Sequence, residues 1–162
     1  MEESVRYSDN YVLTSTGEKD FGEITPEIAR IIHREQGKIR LEIGYQKDGR
    51  GYGEKHIERP DRLKQLRNNG FNCARDFIEY ITKDYDAIFQ GEGNNIVIVK
   101  IGKNSNIAFL ALKQNETDKD IYWNVESAFI SRPDYLKNKT PLWEKPNSGI
   151  TKRAGKGAVQ SS

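Results

Sequence analysis

Residues Ile96–Phe129 read IVIVKIGKNSNIAFLALKQNETDKDIYWNVESAF. Three apolar runs, Ile96–Ile101, Ile107–Leu112 and Ile121–Phe129, are separated by the polar turns GKNSN and KQNETDKD. Such turns are too short to hold crossover helices, so the runs read as sequential strands of an antiparallel meander. In the last run, alternation puts Ile121, Trp123, Val125, Ser127 and Phe129 on one face and Tyr122, Asn124, Glu126 and Ala128 on the other.

Upstream, the pattern changes to a helical period. Thr25 can cap a helix that opens on Pro26 and Glu27, with Ile28, Ile31 and Ile32 as its apolar stripe. Gly37 ends that helix, and the alternating KIRLEI of residues 38–43 reads as a half-buried strand. A glycine-punctuated loop, Gly44 to Gly53, contains DGRGYG; it has neither a Walker pattern nor the setting of a dinucleotide fingerprint. Glu54 to Gln90 reads as helical in at least two pieces, the second carrying Phe77, Ile78, Ile81, Tyr85 and Ile88. The expected fold is α+β, with N-terminal helices packed on a curved antiparallel sheet of about four strands. Residues 1–20 read as a linker or flexible arm, 21–145 as the domain and 146–162 as a flexible basic tail.

Composition narrows the chemistry. The 162 residues are 35% hydrophobic, with 26 basic and 24 acidic side chains for a net +2. One cysteine, Cys73, excludes an internal disulfide and a multi-cysteine metal site, and two histidines, His33 and His56, leave little for zinc chemistry. No apolar run reaches the length that spans a membrane, and the polar N-terminus lacks a signal-peptide pattern. A cytoplasmic protein is expected, or one delivered by phage or secretion as part of a larger chain. Between Arg132 and Lys156 seven basic residues face two acidic ones, a local +5 that leaves −3 for the remainder. That end suits a polyanion, though a charge cluster of this kind is more commonly a solvated tail. Arg132, Lys137 and Lys139 interleave with Tyr135 and Trp143, as on a surface for single-stranded RNA or in a partly packed terminal segment.

His56 follows the glycine loop in GEKHIER, between Lys55 and Arg59. Imidazole exchanges protons near neutral pH, and the flanking cations can hold a phosphodiester; the segment also reads as a charged surface helix. His33 has no such surroundings and reads as a surface residue. Lys100 interrupts an apolar strand, either to protect an edge or to face a cleft.

Four stretches, DFGEITPEI, KIRLEIG, GYGEKHIERPDRLKQLRNNGFNCARDFIEYI and DIYWNVESAFISRPDYLKNKTPLW, together resemble phage- and mobile-element nuclease domains of the barnase–EndoU–colicin–RelE type. The resemblance covers Phe21 to Trp143 and rests on the glycine-led histidine segment and the Ser127-Ala128-Phe129 strand end. It implies a metal-independent, cofactor-free endoribonuclease in which a 2′-hydroxyl attacks phosphorus to leave a 2′,3′-cyclic phosphate. His56 and Ser127 match the family's site, with Lys100 and Arg59 as supporting cations assigned by chemistry. Lys55, Asn124 and Arg132 would bind substrate. RNA, tRNA included, and an immunity or antitoxin protein are the implied partners. Related domains often carry a second histidine where this chain has Pro60, so Glu58, Arg59 or a tyrosine would have to supply the other proton-transfer group. The alternative is a non-catalytic RNA- or protein-binding module of a phage or mobile-element protein.

Overall fold

The chain runs β1 (Tyr7–Ser8), β2 (Tyr11–Val12), β3 (Gly22–Ile24), α1 (Pro26–Ile32), β4 (Gly37–Glu42), β5 (Tyr45–Lys47), β6 (Arg50–Tyr52), α2 (Gly53–Ile57), α3 (Pro60–Asn68) and α4 (Ala74–Lys83). It continues through β7 (Ala87–Gln90), β8 (Ile96–Ile101), β9 (Ser105–Gln114), β10 (Ile121–Ser131), a 3-10 turn (Pro133–Leu136) and β11 (Trp143–Glu144). The computed structural model describes residues 6–146.

Local chemistry sets the element ends. The Thr25 hydroxyl accepts the Ile28 N–H at 3.2 Å and Pro26 opens α1. His33 closes α1 in the left-handed conformation (φ 59°), its N–H bonded to the Ala29 carbonyl. In α4 the spacing of Phe77, Ile78 and Ile81 buries one face completely.

The expected three-strand meander forms as β8, β9 and β10, which pair antiparallel in sequence order. Ala87–Gln90, read as the end of the helical run, is instead strand β7, added antiparallel to β8. The sheet around it overturns the expected architecture. Among the described residues it has nine strands, in the order β1-β2-β4-β10-β9-β8-β7-β11 with β3 also on β4, and is accompanied by four helices. It is mixed, because β4 joins β10 in parallel through Lys38–Arg40 and Tyr122–Asn124. Nor do the helices precede the sheet: α2, α3 and α4 are inserted between β6 and β7. Strands of two or three residues carry no detectable alternation, and a parallel pair between residues so far apart leaves no local trace.

The segment read as an arm enters the fold from Tyr7 onward. Val12 pairs with Leu41, and Tyr11, Val12 and Leu13 are buried. Its following loop is tied to α4, where the Glu79 carboxylate accepts from the Ser15 N–H at 2.8 Å and hydroxyl at 2.9 Å. The tail lies outside the described residues apart from Pro146.

The two sheet faces have separate cores. Helices cover one, where Ile57, Leu66, Phe77, Ile78 and Ile81 meet Ile39, Leu41, Ile96, Ile98, Leu110, Trp123 and Val125. A smaller cluster on the other face unites Phe89, Val97, Val99 and Ile107 with Leu136 from the 3-10 turn. A bulge at Glu126 corrects the expected faces of β10. Val125 lies opposite Leu110 but Ser127 lies opposite Phe109, so the side-chain phase reverses between them. Ala128 and Ile130 therefore join Trp123 in the helix-side core, and Phe129 packs against the other cluster.

Candidate functional site

Beyond Asn124, β10 has only β9 as a strand partner among the described residues. Its open edge is taken by helices: Ile57 of α2 enters the core beside Val125 and Ala128, and the Gln65 amide of α3 donates to the Ile130 carbonyl at 3.1 Å. This brings the α2–α3 junction, with His56, Arg59 and Arg62, alongside the half of β10 that carries Ser127 and Phe129.

The glycine loop proves to be a β-hairpin, β5–β6. Asp48 (φ 52°) and Gly49 (φ 78°) form its tip, the pair of left-handed residues that a two-residue hairpin turn requires. The hairpin lies over His56, which bonds on both ring nitrogens. Nδ1 is 2.7 Å from Gln46 Oε1, and Nε2 is 3.1 Å from Arg59 Nη1. The same guanidinium donates to the His56 carbonyl. Burial lowers the His56 pKa, and Arg59 and Arg62 lower it further by repelling a second positive charge. The ring is therefore neutral at neutral pH and can accept a proton at Nε2 when Arg59 turns away.

Aromatic rings continue the site. The Arg62 guanidinium lies 4.9 Å above the Phe129 ring, and Phe129 meets Phe109 at 5.6 Å and Tyr135 at 6.1 Å. Lys139 stands 5.6 Å over Tyr135. Ser127 shares the face of Phe129 and is half-buried. The result is a partly exposed patch of cations and aromatics beside a neutral histidine.

Other sequence-derived candidates lie elsewhere or play other parts. Lys100 is on the helix face of the sheet, in phase with Ile96 and Ile98, whereas Ser127 is on the opposite face. Its ammonium bonds the Asp84 carbonyl at 2.9 Å and lies 5.6 Å over Tyr80, so it is not brought to His56. Asn124 is fully buried: its amide oxygen accepts the Glu42 N–H at 3.0 Å and its NH₂ donates to Glu126 at 2.6 Å. Lys55 is exposed on α2, and Arg132 is exposed with Asp134 at 3.8 Å. Trp143 packs edge-on against Tyr85 rather than with Tyr135. His33 is the exposed cap of α1.

Sequence reading missed Gln46 and Arg62. Arg62 could have been found, because it lies one helical turn past Arg59 and the basic side chains recur toward the same side. Also unforeseen is a polar network around buried Glu42, whose carboxylate accepts from Tyr122 at 2.5 Å, Tyr52 at 3.2 Å and Lys113 at 3.4 Å. Burial and then Glu42 raise the pKa of both tyrosines, which stay protonated donors. Beside it, the Arg40 guanidinium lies 5.3 Å from the Tyr11 ring and 5.0 Å from the Tyr122 ring, which meet edge to face, and is bonded to Asp20 at 2.8 Å.

Among the described residues no group of three or more His, Cys, Asp or Glu side chains is placed to share a metal ion. No described helix is long and apolar enough to cross a membrane. Compared with known proteins, the chain matches no family model, no curated protein and no solved structure.

Proposed function

We propose that this protein is an endoribonuclease that cleaves RNA by transfer to the neighbouring 2′-hydroxyl, with His56 as its proton acceptor and no metal requirement. The observation that carries it is a neutral His56 whose Nε2, among the described residues, is bonded only by the Arg59 guanidinium. A substrate phosphate competes with the ring for that guanidinium, since a charge-assisted bond to an anion is stronger than one to neutral imidazole. Nε2 then accepts the 2′-hydroxyl proton, the 2′-oxygen bonds to phosphorus, and the 5′-oxygen leaves and takes up a proton from water. The hydroxide so formed takes the imidazolium proton, which returns His56 to its neutral form. Arg59 and Arg62 offset the charge that builds on the phosphoryl oxygens. The Ser127 hydroxyl is a donor for one of them, and exposed Lys55 and Arg132 supply charge toward flanking phosphates. The sequence resemblance to ribonuclease toxins supports the same chemistry. Within that function the substrate is cytoplasmic RNA, tRNA among it, and an immunity or antitoxin protein would cover the patch.

A second reading has a specific observation in its favour: with Arg59 on Nε2, the only free lone pair of the ring is occupied. In that case the patch binds RNA and does not cut it. Incubation with total RNA and defined tRNAs in EDTA separates the two. Cleavage by the wild type, lost in His56→Ala at unchanged Tm, supports the nuclease; salt-sensitive binding without products supports the module.

A further inference from the structure

We infer that Gln46 is a positioning residue for His56: its amide oxygen, carried to the ring by the β5–β6 hairpin, keeps the proton on Nδ1 and the lone pair on Nε2. The kinetic consequence rests on the nuclease reading; the tautomer itself does not.

Two contacts require the same tautomer. A guanidinium can only donate, so Arg59 at 3.1 Å makes Nε2 an acceptor and leaves the proton of the neutral ring on Nδ1. That Nδ1–H then donates to Gln46 Oε1 at 2.7 Å. Gln46 is half-buried, so the bond is partly shielded from competing water.

The glycines of the loop explain why the hairpin can reach the ring. A Cβ on Gly51 would stand 2.6 Å from Gln46 Oε1, in the space the amide now uses. Gly44 (φ 69°) and Gly53 (φ 78°) lie where the hairpin's two ends meet, and a Cβ on Gly53 would stand 2.5 Å from the Glu42 carbonyl. A Cβ on Gly44 would collide with the Tyr52 carbonyl. Only glycine allows both the left-handed backbone and this approach of chain to chain. Tyr45 and Tyr52, edge to face at 5.5 Å, brace the two strands.

The charges acting on the ring are cations, Arg59 and Arg62 of the α3 end. The hairpin presents the neutral Gln46 amide. On β10, the Glu126 carboxylate is held by Asn124 and Lys113 and the Tyr122 hydroxyl by Glu42; on β4, Glu42 is held by the two tyrosines and Lys113. Replacing Gln46 by a carboxylate therefore introduces the first anion bonded to the ring, which favours imidazolium.

The test is ¹⁵N NMR of the imidazole, simplified by His33→Asn, which leaves His56 as the only histidine and keeps a residue that tolerates the left-handed cap. The expected ring is the Nδ1-protonated tautomer. With Arg59→Ala added to free Nε2 of its donor, Gln46→Leu should let Nε2–H form, whereas Gln46 alone should keep the proton on Nδ1. Gln46→Glu should retain Nδ1–H while raising the ring pKa by about one unit. In RNA cleavage, Gln46→Leu should lower kcat about tenfold with KM within about twofold, the scale lost when a histidine's orienting partner is removed. Gln46→Glu should restore kcat and move the acidic limb of its pH profile upward. An unchanged tautomer when Gln46→Leu is added to Arg59→Ala, or an unchanged pKa in Gln46→Glu, overturns the assignment. If the wild type cuts no RNA while the tautomer responds as described, the nuclease reading fails and the positioning role stands.

Discussion

His56 and His33 show how place decides what one side chain does. His33 occupies a left-handed cap on the surface, where any chemistry of the ring is incidental. His56 lies between an amide and two arginines, and its depressed pKa has a consequence for stability. Below its ordinary value of 6.5 the unfolded chain binds a proton that the folded ring resists, so folding stability falls as pH drops through 6.5. The penalty is absent above 6.5 and complete below the folded pKa. His56→Gln should therefore flatten the decline in Tm between pH 7.5 and 5.5, and an equally steep decline would show that His56 is not its source. Lys100 gives the converse expectation. Its ion pair with Asp84 is largely solvated on the Asp84 side, so Lys100→Met should cost no more than about 1 kcal/mol in chemical denaturation. It should also leave RNA cleavage intact, because the side chain is on the face away from Ser127. The His56 and Arg59 pairing was legible because both lie in one short segment; Gln46 was not, since a neutral amide ten residues away carries no charge or period to mark it.

Among the elements, β10 determines most. A strict period of two would have buried Ser127 and Phe129 with Trp123. The single extra residue at Glu126 instead sends Ala128 and Ile130 inward and turns Ser127 and Phe129 toward the cationic patch. Bulges leave no mark in an apolar pattern, which is why the strand was legible and its second face was not. Deleting Glu126 would restore the strict period, force Ser127 and Phe129 inward and expose Ala128 and Ile130. Loss of the cooperative thermal transition is the expected result. A deletion that melts like the wild type would mean the bulge is not what sets the faces. The β5–β6 hairpin teaches a related lesson: DGRGYG was visible as a loop, but its turn chemistry at Asp48-Gly49 says hairpin once the flanking tyrosines pair.

Across the whole molecule, the three-strand meander and the helical run as far as Lys83 were readable from periodicity, while the strand at Ala87–Gln90 and the parallel joining of β4 to β10 were not. That long-range pairing sets the geometry of the proposed site. It stops at Asn124 and so leaves the second half of β10 to α2 and α3, which carry the cations to the aromatic face. If Arg59, Arg62, Lys139, Lys55 and Arg132 each meet one phosphate, the logarithm of RNA affinity should fall with the logarithm of salt with a slope of about −3.5. Measured on non-cleaving His56→Ala, Arg62→Ala should make that slope shallower by about 0.7. A slope indifferent to Arg62 would place RNA elsewhere. The central claim is tested most directly by incubating single-stranded RNA in EDTA with the wild type and with His56→Ala and identifying the ends produced. The expected result is 2′,3′-cyclic phosphate and 5′-hydroxyl ends from the wild type and no cleavage by an equally stable His56→Ala. Equal cleavage by both proteins, or intact RNA with both, would contradict it.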